Sequence, residues 1–238
     1  MEQKLGLILK EIPWSLVTRG LIIALGWLYL PWGLFLVVFL FFIYKTKGDP
    51  VLSYNNTIWA ILIISFFFGF LPESFNYFLA LLLAVVSGFL IGLKELFFVR
   101  KLYVYRIINT LLMMVVLLAF FFLVFFSRFT IYAYIFLIWS LYLLFSDLAR
   151  VSTGVSLKSL WGGVAVFIMI QIIYIISFLP IEFVNKAAIA LLSGVVIQEI
   201  LVTQERGKKA NATFYLTMGS VFIILFLLIL KLSTWSVV

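Results

Sequence analysis

Residues Leu111 to Phe126 form sixteen consecutive positions without a charged or strongly polar side chain, and Phe222 to Leu230 form a second such run. A helix that is apolar on every side needs lipid or protein all around it, and within lipid only helices or closed barrels satisfy the backbone. Barrel strands alternate apolar and polar positions, which these runs do not. The sequence therefore predicts an all-α integral membrane protein. Its composition agrees: 66% of the 238 residues are hydrophobic and 11% are charged, against about 25% charged in ordinary soluble domains.

Two residue types are missing. Without cysteine there are no disulfides, no thiolate catalysis, no iron–sulfur cluster and no cysteine-bound zinc. Without histidine the usual haem and imidazole–metal ligands and the commonest proton relay near neutral pH are gone. No cofactor and no metal are expected. The net charge of +8 would suggest nucleic acid in a soluble protein. Here the cations stand in short loops beside apolar segments, so the expected partner is the lipid bilayer and no nucleic acid.

Nine apolar segments are expected, at 14–30, 32–45, 57–71, 76–93, 107–126, 130–147, 160–179, 186–203 and 212–235. The first two are read as a hairpin, with one kinked helix, and hence eight passes, as the alternative. Trp27, Tyr29, Pro31 and Trp32 cluster between them; Trp and Tyr prefer the interface, and Pro starts a helix more easily than it continues one. Cytoplasmic loops collect Lys and Arg. Nine passes with the N-terminus inside leave only Arg128, Lys186 and Lys231 outside, so 14 of the 17 cations fall inside. With eight passes Lys4, Lys10 and Arg19 change sides and the split becomes 11 against 6. The reading is a plasma or inner membrane protein, N-terminus cytoplasmic and C-terminus outside.

Residues 1–12 are expected to form an amphipathic interfacial segment, with Leu5, Ile8, Leu9 and Ile12 at helical spacing, lying on the inner surface. Residues 13–238 read as a single polytopic domain. Within it, Phe70-Leu71-Pro72 leading to Ser87-Gly88 resembles Phe178-Leu179-Pro180 leading to Ser193-Gly194. This suggests an internal duplication into halves 13–106 and 107–211 with a closing helix at 212–235. Chance similarity between apolar runs is the competing explanation. The sequons at Asn55 and Asn211 fall in loops assigned to the inside, where glycans would overturn the topology.

Few residues invite a chemical role. Gln171 is the strongly polar group nearest a segment centre, read either as a bond to another helix or as a substrate contact. Glu95, Asp147 and Glu199 are expected at the inner ends of helices, where the dipole disfavours a negative charge. Local pairing, such as Asp147 with Arg150, would compensate; the functional alternative is a cytoplasmic-face acidic cluster. Ala84, Gly88 and Gly92 form a ladder of small residues that admits a close helix, either internally or in a homo-oligomer or a larger membrane complex. Arg100, Lys101, Arg106, Arg150 and Lys158 suit anionic headgroups at the cytoplasmic face.

Three functions are expected in descending order: a permease-like transporter or channel for a lipophilic or weakly polar small solute, without ion coupling through a midplane acid; a non-catalytic scaffold or assembly subunit of a membrane complex; and an enzyme on lipid or a lipid-linked substrate. No motif of catalytic spacing supports the last, and no catalytic residue is assigned.

Overall fold

In a computed structural model, residues 14–45, 54–69, 71–94, 101–126, 130–153, 159–205 and 212–233 are described. They form nine helices and no strand: α1 (Trp14–Tyr29), α2 (Trp32–Lys45), α3 (Asn55–Phe68), α4 (Glu73–Lys94), α5 (Lys101–Phe126), α6 (Thr130–Thr153), α7 (Ser159–Ser177), α8 (Phe183–Glu205) and α9 (Ala212–Leu232). Six of them, α4 to α9, are long and apolar enough to cross a membrane. These apolar helices fit a polytopic membrane protein. The interfacial segment 1–12 and the sequon at Asn211 lie outside the described residues.

Two helices outrun their expected limits by more than a turn. α5 begins at Lys101 instead of 107, and α6 runs on to Thr153 instead of stopping at 147. Apolar content marks where a span leaves hydrocarbon, whereas the backbone ladder continues into the interface as long as nothing breaks it. Asp147 consequently stands inside α6 and not at its end.

The helices α1, α2 and α3 are short, at 16, 14 and 14 residues. Fourteen residues rise about 21 Å, less than a hydrocarbon core of roughly 30 Å. Between α1 and α2 the chain reverses at Leu30-Pro31: the Trp27 and Phe35 rings meet edge to face with centroids 5.4 Å apart. A β-carbon on Gly26 would touch Phe35 and Val38, each at 3.8 Å. In one continuous helix Gly26 and Val38 would be separated by about 18 Å. The two helices therefore lie side by side.

The chain divides into two compact units, residues 1–52 with 68–108, and residues 53–67 with 109–238. In the first, α1 packs on α4. Gly20 faces the backbone of Ala84, and Gly88 faces the carbonyl of Leu16, so the helices run antiparallel. Ala84 and Gly88 thus serve a contact within the unit. Their counterpart, Gly20 with buried Ala24 four residues on, was not singled out from sequence. Close approach of backbones is what holds helices together where lipid is as apolar as the side chains. Ser87 folds its hydroxyl back onto the Leu83 carbonyl and leaves that contact free of unmet polarity.

In the second unit α7 packs on α6 and on α8, and α8 also meets α6 and α9. A β-carbon on Gly162 would stand 3.1 Å from the Ser146 backbone, which makes α6 and α7 another close, antiparallel pair. At the turn between α7 and α8, Lys186 Nζ donates to the Ser177 carbonyl at 2.9 Å and covers one of the last carbonyls of α7. The last helix is peripheral: 61% of the α6 span is buried within the chain, and none of the α9 span.

Gly20 supplies the first test. A side chain there must push into the Ala84 backbone carbonyl, which cannot yield as a flexible side chain would, so Gly20→Leu is expected to cost about 1–3 kcal/mol. Thermal unfolding of the detergent-extracted protein should show the loss. Gly33→Ala, with nothing within 4 Å of the added carbon, should leave the transition unchanged or raise it.

Candidate functional site

The buried polar groups of the second unit that bond between helices gather in one layer. On α6, Leu144, Ser146 and Asp147 occupy a single turn; Asn56 and Thr57 open α3; Asn109 and Thr110 lie on α5; Gln198 lies on α8. Asp147, Thr57 and Asn109 have no exposed surface.

Asp147 does a job usually done locally. The first backbone N–H groups of any helix lack intrahelical partners, and a nearby carboxylate or hydroxyl commonly accepts from them. Here the acceptor comes from another helix: Thr57 donates to Asp147 Oδ2 twice, from its backbone nitrogen at 2.7 Å and from Oγ1 at 2.8 Å. A negative charge at a helix N-terminus is also favoured by the dipole. Beside this pair Asn56 Nδ2 donates to Ser146 Oγ at 2.9 Å, and Ser146 Oγ donates to the Leu143 carbonyl at 3.1 Å. Asp147 Oδ1 is buried and has no hydrogen-bond partner among the described residues.

The layer continues through α5 to α8. Asn109 Nδ2 donates to the Leu144 carbonyl at 2.8 Å. Its Oδ1 accepts from Gln198 Nε2 at 3.2 Å, and Gln198 Oε1 accepts from Thr110 Oγ1 at 3.2 Å. Gly162 on α7 abuts Ser146. Five helices thus converge on one level, four of them joined by hydrogen bonds. Deeper on α6 the fully buried Ser140 hydroxyl has no partner among the described residues.

The expected site residues fare unequally. Asp147 bonds to Thr57 and not to Arg150, which is exposed one turn later and acts on it only through its field. Glu199 is half-buried beside Gln198. Glu95 lies outside the described residues, and among those described no three acidic side chains converge to hold a metal. Gln171 is exposed on α7, pointing out of the unit. Of the basic set, Arg106 is half-buried on α5 and Lys101 opens that helix, while Arg100 and Lys158 lie outside the described residues.

Asn109, Thr57, Asn56 and Gln198 were not singled out from sequence. A signal existed for Asn109-Thr110: it interrupts an otherwise apolar run from Ile107 to Phe126, and amides inside a span seek partners on other helices.

The chain matches no protein-family model, no curated protein and no solved structure. The layer is hydrogen-bonded across four helices, and one oxygen of its buried carboxylate has no partner among the described residues.

Two substitutions test the bonding. Thr57→Val removes the hydroxyl donor but keeps the backbone bond, and is expected to cost about 1 kcal/mol; Asp147→Leu removes both acceptor interactions and should cost about 1–3 kcal/mol. A double-mutant cycle of Asn109→Leu and Gln198→Leu, read by unfolding in mixed micelles, should give a coupling near 0.6 kcal/mol and no more than about 1.7. Strict additivity would show that these amides do not meet.

Proposed function

We propose that this chain is a permease-like transporter or channel for a lipophilic or weakly polar small solute, in which the polar layer of the second unit is the inner closure. The observation that carries the reading is Asp147, a carboxylate with no exposed surface inside a helix long and apolar enough to span. An ionisable group in such a place is costly, faces the bundle interior and ordinarily marks a solute or ion path. It accepts from the start of a short helix, and interrupted or short helices whose ends meet polar groups are how transporters build sites.

The proposal includes the topology: nine passes, N-terminus cytoplasmic and C-terminus outside, in a plasma or inner membrane. The starts of α3 and α5 and the ends of α6 and α8 then all face the cytoplasm, which puts the whole layer at that side. Arg106, Arg150 and the neighbouring basic loops meet anionic headgroups there.

A second reading is a non-catalytic assembly subunit. It is favoured by the mutual satisfaction of Asn109, Thr110 and Gln198, which a permanent lock would also show, and by the α9 span, of which no residue is buried within the chain.

Stopped-flow osmotic swelling of reconstituted vesicles in three weakly polar solutes, 1,2-propanediol, 1,4-butanediol and N-methylacetamide, separates the two. The transporter reading expects swelling faster than in protein-free vesicles. It also expects Asp147→Ala to raise the rate roughly tenfold or more, since two bonds of about 1 kcal/mol each hold the closure. Swelling equal to protein-free vesicles in all three solutes would leave the assembly reading standing.

Topology is tested separately. The native chain has no cysteine, so Trp32→Cys is a single probe. Reaction with an impermeant maleimide applied outside intact cells supports nine passes; no reaction until the membrane is permeabilised returns residues 14–45 to one crossing.

A further inference from the structure

Gln171 has an amide that nothing among the described residues uses. Its side chain is exposed on α7, and it makes no hydrogen bond among the described residues. It lies three residues from the middle of the helix Ser159–Ser177, about 4.5 Å along the axis, and about 9 Å from the nearer end. A glutamine side chain is too short to reach the interface from there as lysine or arginine would. Hydrocarbon offers neither donors nor acceptors, so the amide needs a partner that the described residues do not provide.

We propose that the exposed face of α7 is a self-association surface, and that Gln171 pairs there with Gln171 of a second copy of this chain. Three features select a second copy over another protein. An amide is self-complementary, carrying both an acceptor oxygen and an NH2 donor. Two glutamines can therefore satisfy each other with no third group. Copies of one chain also insert with a single orientation, so their dimer axis runs along the membrane normal and equivalent residues meet at equal depth. A residue near mid-membrane then meets itself, and only a self-complementary one gains from doing so.

The third feature is the spacing of the face. Leu160, Val164, Phe167, Gln171 and Tyr174 are separated alternately by four and three residues. The four other members are all exposed, and Gln171 is exposed with them. This is the 3.5-residue repeat of two parallel helices in left-handed contact, in which one polar residue within the seam fixes register and partner number. Neighbouring α6 presents Trp139 close to the same level: the antiparallel register set by Gly162 against Ser146 places residue 139 near 169. Its indole is 59% exposed and has no hydrogen-bond partner among the described residues, a second unused donor at the depth of the proposed seam.

The proposal is independent of solute transport, and its test does not read transport. In the full-length chain, which has no cysteine, Phe167→Cys and Tyr174→Cys place single thiols on the α7 face on either side of Gln171. Met169→Cys and Ile173→Cys place them on the buried face. Oxidation in native membranes should give disulfide-linked dimers at 167 and 174 and none at 169 and 173. Adding Gln171→Leu should lower the dimer yield several-fold, and Gln171→Asn should lower it less. Native mass spectra of the wild type and of Gln171→Leu, extracted in mild detergent, read the same equilibrium without any cysteine. They should show dimer in the first and mainly monomer in the second. Equal dimer yield with Gln171→Leu, cross-linking at all four positions alike, a wild-type monomer, or a mass showing a different protein bound at this face would each overturn the proposal.

Discussion

Within hydrocarbon a polar group must find its partner inside the protein, and the two bonds from the start of α3 to Asp147 Oδ2 meet that demand for a helix end through another helix. α3 has only 14 residues, and its first donors would otherwise be unmet. By accepting from both the backbone nitrogen and the hydroxyl of Thr57, Asp147 fixes the depth of α3 against α6. The adjoining bonds follow from that placement: Asn56 reaches Ser146 because the same turn of α3 faces the same turn of α6. Gly162 lets α7 close on that turn from another side. Asn109 and Gln198 extend the level through α5 to α8.

The two units answer one problem by different means. Lipid is as apolar as leucine, so burying apolar surface gives little drive for helices to associate; close packing and hydrogen bonds must supply it. In the first unit the answer is small residues, Gly20 against Ala84 and Gly88 against Leu16. In the second it is polar pairing, helped by Gly162 and by Gly194, which sits against the Met113 side chain. A contact made of small residues is geometrically fixed. A hydrogen-bonded layer can exchange its partners for water or solute, and for this reason the polar layer, more than the glycine contact, is read as the working part.

The helices were legible in the sequence because uninterrupted apolar runs leave few alternatives, and all nine expected segments coincide with helices among the described residues. Their ends were not, as at Lys101 and Thr153, since a helix need not stop where hydrocarbon does. Asp147 stood out as an unexplained charge near a helix end, but its partner Thr57 lies 90 residues away and looks like any polar residue at the start of a span. Asn109 and Gln198 were similarly ordinary until paired. The ladder at Ala84, Gly88 and Gly92 was visible, whereas its counterpart at Gly20 was not, because one glycine among apolar residues carries no direction. Gln171 was noticed for its polarity, and only the structure shows that it points outward.

α3 is joined to α6 through the turn that carries Ser146 and Asp147. The most direct measurement joins these helices covalently. In the cysteine-free chain, Asn56→Cys with Ser146→Cys places two thiols where the side chains are now 2.9 Å apart. Treatment of native membranes with the shortest bifunctional methanethiosulfonate reagent should link them within one chain, so that the intact mass shows one reagent per chain and neither thiol accepts a maleimide-linked polymer until reductant is added. If the mass shows two reagents per chain, or both thiols take up the polymer, while the double variant remains folded, α3 does not sit against this turn of α6, and the polar layer described above does not exist.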